Sequence, residues 1–152
     1  MELKIRELKK EDLQTLRKLI LETENFGEPF LETELHGLKW YSIPDLGAVF
    51  VATLDNRPVG YITLRKKVFA LAIVSIVVAK DVQRRGIGRE LIERAKEYAK
   101  SHKFKVLRVD TGNFMDYAIK FYLACGFLPC GYVEHDFGLN TKQVHFYMDL
   151  TQ

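Results

Sequence analysis

The stretch SIVVAKDVQRRGIGRELI, residues 75–92, decides how this sequence folds. It continues an apolar run, residues 70–78, that lacks polar–apolar alternation and is rich in valine and isoleucine, which is typical of a strand buried on both faces. A short loop with two glycines and three arginines follows. After Gly88 the apolar residues recur at helical spacing. The stretch therefore predicts a buried strand, a basic loop and a helix in direct succession.

The loop has the chemistry of an anion-binding cradle. Unpaired N–H groups at the start of a helix attract anions, and Gly86 and Gly88 let the main chain approach a phosphate closely. Arg84, Arg85 and Arg89 add positive charge and forked donors that suit phosphate oxygens. The alternative is a tight turn with solvated arginines, but the strand before it, the helix after it and the basic flank favour phosphate binding.

Two common phosphate-binding loops do not match this segment. A Walker loop ends in Gly-Lys-Ser or Gly-Lys-Thr, and neither occurs here. The dinucleotide fingerprint requires a third glycine or alanine where this sequence has Leu91. The segment is therefore expected to bind phosphate in another way.

Outward from this segment, the periodicity predicts one mixed sheet with helices packed on it. The expected strands are residues 3–7, 49–54, 59–64, 70–78, 106–111, 131–135 and 144–150. The expected helices are residues 11–22, a short one at 29–35 that Gly37 ends, one after Gly88, and one that Asn113 caps and Gly126 ends. The order β-α-(α)-β-β-β-α-β-α-β-β indicates an α/β (α+β) fold.

Composition limits the class of protein. A chain of 152 residues, 28% charged and 47% hydrophobic, predicts a single domain over residues 1–152. The longest apolar run, residues 68–79 interrupted only by Ser75, is too short to span a bilayer, and no basic-then-apolar leader opens the chain. Cys125 and Cys130 form no disulfide framework and match no metal spacing. We expect a cytoplasmic protein with no metal and no membrane partner.

Two motifs resemble one known family. Gln83-Arg84-Arg85-Gly86-Ile87-Gly88 resembles the acetyl-CoA signature of the GNAT superfamily of N-acetyltransferases, Gln/Arg-x-x-Gly-x-Gly/Ala, and AIKFYLACGF, residues 118–127, resembles its later helix, Ala-x-x-(Phe/Leu)-Tyr-x-x-x-Gly-Phe. The predicted element order is also the family's order. The resemblance implies a GNAT acyl-CoA N-acyltransferase fold: a mixed, mostly antiparallel sheet with a splayed parallel central strand pair, flanked by helices.

The resemblance also implies how acetyl-CoA binds as co-substrate. The strand residues Ile76, Val77 and Val78 would hydrogen-bond to the pantetheine arm, as an extended peptide adds to a sheet edge. The loop would wrap the pyrophosphate, and the residues implied there are Gln83, Arg84, Arg85, Gly86, Ile87, Gly88 and Arg89. The family often places an asparagine near the phosphates, seven residues before a catalytic tyrosine. Here Met115 holds that position, so that Asn113 either serves instead or only caps the helix.

Tyr122 stands where the family commonly places the tyrosine that protonates the departing thiolate, and its alternative role is aromatic packing. The base is open. Many GNAT enzymes carry a glutamate on the strand that here reads Ala72-Ile73-Val74-Ser75, which holds no carboxylate. In the branch that acetylates protein N-termini, a carboxylate lies twelve residues before the tyrosine, and Asp110 holds that position. The alternatives are a structural aspartate at a strand end, and ordered water that carries the proton away.

The acceptor is expected to be a primary amine, on a small molecule or a peptide. Residues 19–38 hold five carboxylates and no lysine or arginine, which favours a cationic partner. Glu28, in the irregular Gly-Glu-Pro stretch, is the predicted substrate residue. The five are Glu22, Glu24, Glu28, Glu32 and Glu34, and for most of them a solvated helix face is an equal alternative. A homodimer is compatible with the sequence.

Two rival functions remain. The first keeps the fold without the chemistry, as a non-catalytic acyl-CoA-binding or regulatory module, because the strand glutamate is missing. The second is nucleic-acid binding through the basic residues between Lys96 and Arg108. It is disfavoured because cations at a helix C-terminus have an ordinary dipole explanation and because no aromatic-rich strand motif accompanies them. The net charge of +3 neither requires nor excludes a nucleic-acid partner.

Overall fold

The computed structural model describes residues 2–23 and 28–151, which form a seven-stranded sheet with helices on both faces. The elements in chain order are β1 (Leu3–Glu7), α1 (Asp12–Thr23), α2 (Glu28–Tyr41), β2 (Gly47–Leu54), β3 (Arg57–Lys66), β4 (Leu71–Val78), a 3₁₀ turn (Lys80–Val82), α3 (Ile87–Ser101), β5 (Val106–Gly112), α4 (Asp116–Ala124), β6 (Leu128–Glu134) and β7 (Lys142–Asp149). The strands lie in the order β1-β2-β3-β4-β5-β7-β6, and β4 and β5 are parallel while the other neighbours are antiparallel. The predicted fold class is confirmed.

Two apolar layers hold the helices to the sheet. Because successive side chains of a strand point to opposite faces, Val49 and Val51 of β2 pack under α1 and α2, whereas Phe50 and Ala52 join the core under α3 and α4. We call these the α1/α2 face and the α3/α4 face. Within the described residues, the core on the α1/α2 face takes no side chain from β5, β6 or β7. The helices on that face therefore cover only the β1–β4 half of the sheet.

The parallel pair β4/β5 is short and then diverges. Its pairing covers only Leu71–Ile73 against Leu107–Val109. At Val74 the register of β4 against β3 shifts by one residue, which is a β-bulge. Beyond the bulge β4 stays paired with β3, and β5 stays paired with β7 to its end. The two strands thus open a gap in the middle of the sheet, as the resemblance implied.

Two predicted helix boundaries are wrong. Gly37 does not end α2 but lies inside it, because Leu31, Leu35 and Leu38 continue the apolar stripe past the glycine and are buried against the sheet. Asn113 does not cap α4, which begins at Asp116 after Met115 without a side-chain cap. Among the described helices, none combines the length and apolar character needed to cross a membrane.

Candidate active site

A cleft of about 1050 Å³ lies where β4 and β5 diverge. One wall is β4 from Ala72 to Val78 with the loop and first turn of α3 that follow, and the other is the end of β5 with Tyr122 of α4. Thr23 of α1 and Phe30 of α2 close the side of the α1/α2 face. A second, more open hollow of about 560 Å³ lies on β5, β6 and β7 and contains none of the predicted site residues. The cleft is therefore the candidate site.

The backbone of β4 offers hydrogen-bonding groups to the cleft. Ala79 donates its N–H to the carbonyl of Val59 on β3 at 2.8 Å. Since backbone groups alternate along a strand, the N–H and C=O groups of Ile76 and Val78 turn away from β3, toward the gap. Val77 pairs with Tyr61, and its side chain is buried on the α1/α2 face. Of the three strand residues predicted to hold the cofactor, Ile76 and Val78 present backbone groups to the cleft.

A hydrogen bond from the side chain of Gln83 connects the basic loop to the end of β4. Nε2 of Gln83 donates to the carbonyl of Val78 at 2.9 Å. The chain then passes through two left-handed residues, Arg84 with φ 65° and Gly86 with φ 81°, before α3 begins. A Cβ added at Gly86 would meet nothing within 4 Å, so the glycine there serves the backbone conformation and leaves the space beside the helix start open.

The first turn of α3 presents its unpaired donors to this open space. Glu90 donates to the carbonyl of Gly86 at 3.0 Å, which leaves the N–H groups of residues 87–89 without a partner inside the helix. Ile87 takes part through its backbone, because its side chain is buried in the α3/α4 core. Arg84 and Arg89 line the cleft, and Lys80 adds a further positive charge. The arrangement attracts phosphate oxygens.

Two residues of the loop region, Gly88 and Arg85, have surroundings that the sequence did not indicate. A Cβ at Gly88 would lie 3.1 Å from Cζ of Phe121, so this glycine lets α3 pack closely on α4. Arg85 is exposed, and the cleft wall within the described residues does not include it. Conversely, Arg65 at the end of β3 and Lys67 after it line the cleft, although the sequence drew no attention to them.

Tyr122 lies both in the core and at the cleft. It is 6% exposed, and its ring packs against Phe127, Phe146 and Phe121 with centroids 5.8, 6.1 and 5.5 Å away. It is also part of the cleft wall. Both of its predicted roles, aromatic packing and a place beside the reacting groups, are compatible with this position.

Asp110 lines the opposite wall of the cleft on β5. Its Oδ1 lies 3.0 Å from Nδ1 of His145, the residue directly across on β7. Nη2 of Arg108 lies 3.1 Å from the same imidazole nitrogen. The sequence showed His145 only as a scattered histidine, because its pairing with Asp110 depends on the register between two strands far apart in the chain.

Asn113 and Glu28 lie away from the cleft. Asn113 connects the end of β5 to the start of β7: its Oδ1 accepts the N–H of Lys142 at 3.0 Å, and its own N–H donates to the carbonyl of Lys142 at 2.8 Å. Glu28 is the first residue of α2 and is exposed. In the described part of the chain neither belongs to the cleft wall. Glu24, another predicted acidic residue, lies outside the described residues.

Glu34 is a carboxylate near the cleft that sequence reasoning did not single out. Its Oε1 accepts hydrogen bonds from the hydroxyls of Tyr61 on β3 and Ser75 on β4, both at 2.5 Å. Ser75 belongs to the cleft wall. The sequence included Glu34 only as one of five carboxylates in residues 19–38, and nothing in it identified the hydroxyls that contact this one.

Comparison with known proteins gives consistent matches. The family model of the Acetyltransferase (GNAT) family matches residues 13–127. The Probable N-acetyltransferase camello of Xenopus laevis is 31% identical over 90 residues, 57% of this chain and 41% of the relative, and the Uncharacterized N-acetyltransferase YvbK of Bacillus subtilis is 32% identical over 94 residues, 61% of this chain and 60% of the relative. The matches thus span about two fifths to three fifths of those relatives.

Solved structures share the fold at low sequence identity. A Desulfovibrio desulfuricans protein assigned to the GNAT family superposes with a TM-score of 0.90 at 16% identity, over 99% of this chain and 100% of that one. A Bacillus anthracis protein named for streptothricin acetylation, with acetyl-CoA bound, superposes with a TM-score of 0.78 at 22% identity, over 97% and 99% of the two chains. Because the family model matches residues 13–127, 115 of the 152 residues, the chain belongs to the GNAT acetyltransferase family.

Proposed function

We propose that the protein is an N-acetyltransferase that moves an acetyl group from acetyl-CoA to a primary amine on a small molecule or a peptide. The observation that carries the proposal is the cleft itself. It joins the outward-facing backbone of β4 to the basic start of α3 in one continuous wall. The acetyl-CoA bound to the similar Bacillus anthracis protein and the N-acetyltransferase names of the relatives support the same function.

The residues present suit acetyl-CoA in two places. The N–H groups of residues 87–89, with Arg84 and Arg89, suit a pyrophosphate, because helix N-termini and guanidinium groups bind phosphate oxygens. The N–H and C=O groups of Ile76 and the N–H group of Val78 suit the amides of a pantetheine arm, in the manner of an added strand; the carbonyl of Val78 accepts a hydrogen bond from Nε2 of Gln83. Acetyl-CoA as co-substrate supplies an activated acyl thioester, and the chain supplies the groups that orient it.

Acyl transfer requires a proton for the leaving thiolate and a neutral amine. We assign the first task to Tyr122, because a phenol is protonated at neutral pH and this one lies in the cleft wall. Asp110, on the opposite wall, is a candidate to receive the amine's proton. Oδ1 of this carboxylate already lies 3.0 Å from Nδ1 of His145.

Ligand binding tests the first half of the proposal. Acetyl-CoA at ~100 times its dissociation constant is expected to stabilise the protein by roughly 2.7 kcal/mol. CoA is expected to give a comparable shift and ATP a smaller one, since ATP lacks the pantetheine arm. Thermal unfolding with each ligand measures this. No shift with either CoA species would overturn the proposal.

Turnover tests the second half and separates the enzyme from a non-catalytic acyl-CoA-binding module. The protein is incubated with acetyl-CoA and a panel of polyamines, aminoglycosides, amino acids and short peptides, and free thiol is followed. Tyr122→Phe is expected to lose about 10²-fold or more in turnover while keeping its acetyl-CoA-induced thermal shift, because only the proton donor is removed. Stabilisation without any acceptor-dependent thiol release would identify the binding module.

A further inference from the structure

The carboxylate of Glu34 contacts the cleft wall through the hydroxyl of Ser75. Phe30 and Glu34 are four residues apart on α2, so they lie on the same side of the helix. Phe30 lines the cleft, and Glu34, one turn further on, is half-buried against β3 and β4. Its Oε1 accepts both the Tyr61 and the Ser75 hydroxyls. Of Glu34, Tyr61 and Ser75, only Ser75 belongs to the cleft wall that the described residues form.

The β-bulge at Val74 creates this contact. Without a bulge, Ile73 and Ser75 would point to the same face of the sheet, because they are two residues apart. Ile73 pairs with Leu64, and both belong to the α3/α4 core. Ser75 pairs with Thr63, on the same face as Tyr61. The extra residue therefore turns Ser75 over, toward α2 and the carboxylate of Glu34.

We propose that Ser75 and Glu34 form the path by which the acceptor ammonium loses its first proton, a role that rests on the proposed function. Ser75 Oγ takes a proton from the ammonium nitrogen while its own hydroxyl proton moves to Glu34 Oε1. Glu34 touches no substrate in this scheme, so it is a positioning residue that acts through Ser75. Its negative charge beside the cleft also favours a cationic acceptor.

The protons and electrons balance. The freed lone pair on nitrogen forms the C–N bond, the C–S bond breaks, and the thiolate takes a proton from Tyr122. Of the three ammonium protons, the amide keeps one, one leaves through Ser75 and Glu34 to water, and the last replaces the proton that Tyr122 gave up. No oxidant, reductant or metal is required.

Glu34 differs from Asp110 in its neighbours. Oδ1 of Asp110 lies 3.0 Å from Nδ1 of His145, and Nη2 of Arg108 lies 3.1 Å from the same nitrogen, so Asp110 already has an imidazole as its neighbour and a guanidinium behind it. Within residues 2–23 and 28–151, the Glu34 carboxylate accepts hydrogen bonds from two hydroxyls, those of Tyr61 and Ser75. A hydroxyl both donates and accepts, and can therefore pass a proton on. This difference favours Glu34 as the first acceptor.

The test compares Glu34→Gln, Ser75→Ala and Asp110→Asn with two acceptors, Nα-acetyllysine and triglycine, whose amines have ordinary pKa values of about 10.4 and about 8. With Nα-acetyllysine at pH 7, Glu34→Gln and Ser75→Ala are expected to lower kcat about 10²-fold. With triglycine the loss is expected to be smaller, because more of that amine is already neutral. With both acceptors, the loss of kcat in each variant relative to wild type should become smaller as the pH rises toward the pKa of the amine.

Two controls make the result specific. Glu32→Gln, on the same helix and exposed beside Arg17, is expected to keep the wild-type pH profile. The acetyl-CoA-induced thermal shift is expected to stay unchanged in Glu34→Gln, which shows that the variant folds and binds; if it does not fold, Ser75→Ala, which keeps the Glu34–Tyr61 contact, decides.

The outcomes separate the two proposals. Wild-type pH profiles in both Glu34→Gln and Ser75→Ala, or a loss in Asp110→Asn alone, would overturn the path through Ser75 and leave the acetyltransferase proposal standing. A wild-type protein that releases thiol with neither probe nor any amine of the wider panel would overturn both.

Discussion

Gly86 and Gly88 lie two positions apart, and the structure gives them different tasks. Gly86 occupies the left-handed region with open space around it, so the backbone conformation alone requires a glycine there. Gly88 is helical, and the ring of Phe121 occupies the place where its Cβ would lie. Gly86 therefore shapes the turn that we propose binds phosphate, and Gly88 determines how closely α3 approaches α4.

Substitutions at Gly86 should separate backbone strain from crowding. Gly86→Ala is expected to lower the free energy of unfolding by about 1–2 kcal/mol, because an L-residue with a Cβ is strained at a positive φ. Gly86→Asn is expected to lose less, since asparagine tolerates this region better. Urea unfolding without ligand measures both. Equal losses for the two variants would contradict the assignment.

How far single residues could be predicted depends on how local their environment is. The two glycines, the arginines and Gln83 belong to one continuous segment, and Tyr122 follows from the resemblance of residues 118–127 to the GNAT helix. All of them except Arg85 line the cleft. Glu34 and His145 act through contacts between elements distant in the chain. Sequence patterns alone do not report such contacts, because they depend on strand register and helix docking.

At the scale of elements, a buried ion pair fixes the entry into α1. Asp12 is 3% exposed, and the guanidinium of Arg6 on β1 donates to both of its oxygens at 2.7 and 2.9 Å. The N–H of Lys9 donates to the same carboxylate at 2.7 Å. The Arg6 hydrogen bonds, more than the opposing effect of burial, hold the pKa of Asp12 below its usual value. The pair joins the first strand to the first helix.

Stability should therefore depend on Asp12 in a defined pH range. A lowered folded-state pKa stabilises the protein above the unfolded-state pKa of about 3.9, and this contribution is lost as the pH falls through the folded-state value. Asp12→Asn is expected to cost about 1.5–3 kcal/mol at pH 7, the usual worth of hydrogen bonds to a charged group. The difference in the free energy of unfolding between wild type and Asp12→Asn should be smaller at pH 3 than at pH 7.

Urea unfolding of wild type and Asp12→Asn at both pH values measures this, with Glu11→Gln, exposed and adjacent, as the control that should change little. A constant difference between wild type and Asp12→Asn from pH 7 to pH 3 would contradict the pKa argument.

Element types were easier to predict than their ends. The strands and helices with strong periodicity lie where they were expected, because their patterns record burial against the sheet. The end of α2 was misplaced at Gly37, since packing of Leu38 outweighs the modest cost of a glycine inside a helix. The bulge at Val74 has no local signature, and it changes the face of Ser75.

At the scale of the whole molecule, positive charge is concentrated at one wall of the cleft. Lys80, Arg84 and Arg89 line the wall at the start of α3, on a chain whose net charge is only +3. On α2, Glu28 and Glu32 are exposed, and Glu34 turns to the sheet. The basic wall suits an anionic substrate. Of the three carboxylates, Glu34 approaches the cleft through its hydrogen bond with Ser75, whereas Glu28 and Glu32 are not part of the cleft wall that the described residues form.

The three-residue pairing between β4 and β5 has a consequence for the folding units of the protein. It is the one stretch of backbone ladder, in residues 2–23 and 28–151, that joins the β1–β4 half of the sheet to the β5–β7–β6 half, and the latter half carries helices on one face only. We therefore expect the β5–β7–β6 half to unfold locally at a lower free energy than the β1–β4 half.

Amide hydrogen exchange would reveal this. Amides of β6 and β7 should exchange faster than those of β2 and β3 in the free protein, and acetyl-CoA, by contacting both walls of the gap, should slow β5 and β7 more than β2. Uniform protection across the sheet without ligand would show instead that the α3/α4 core alone makes the two halves one cooperative unit. If the expected exchange pattern is found, the gap between β4 and β5 that forms the candidate site is also the boundary between two units that unfold separately.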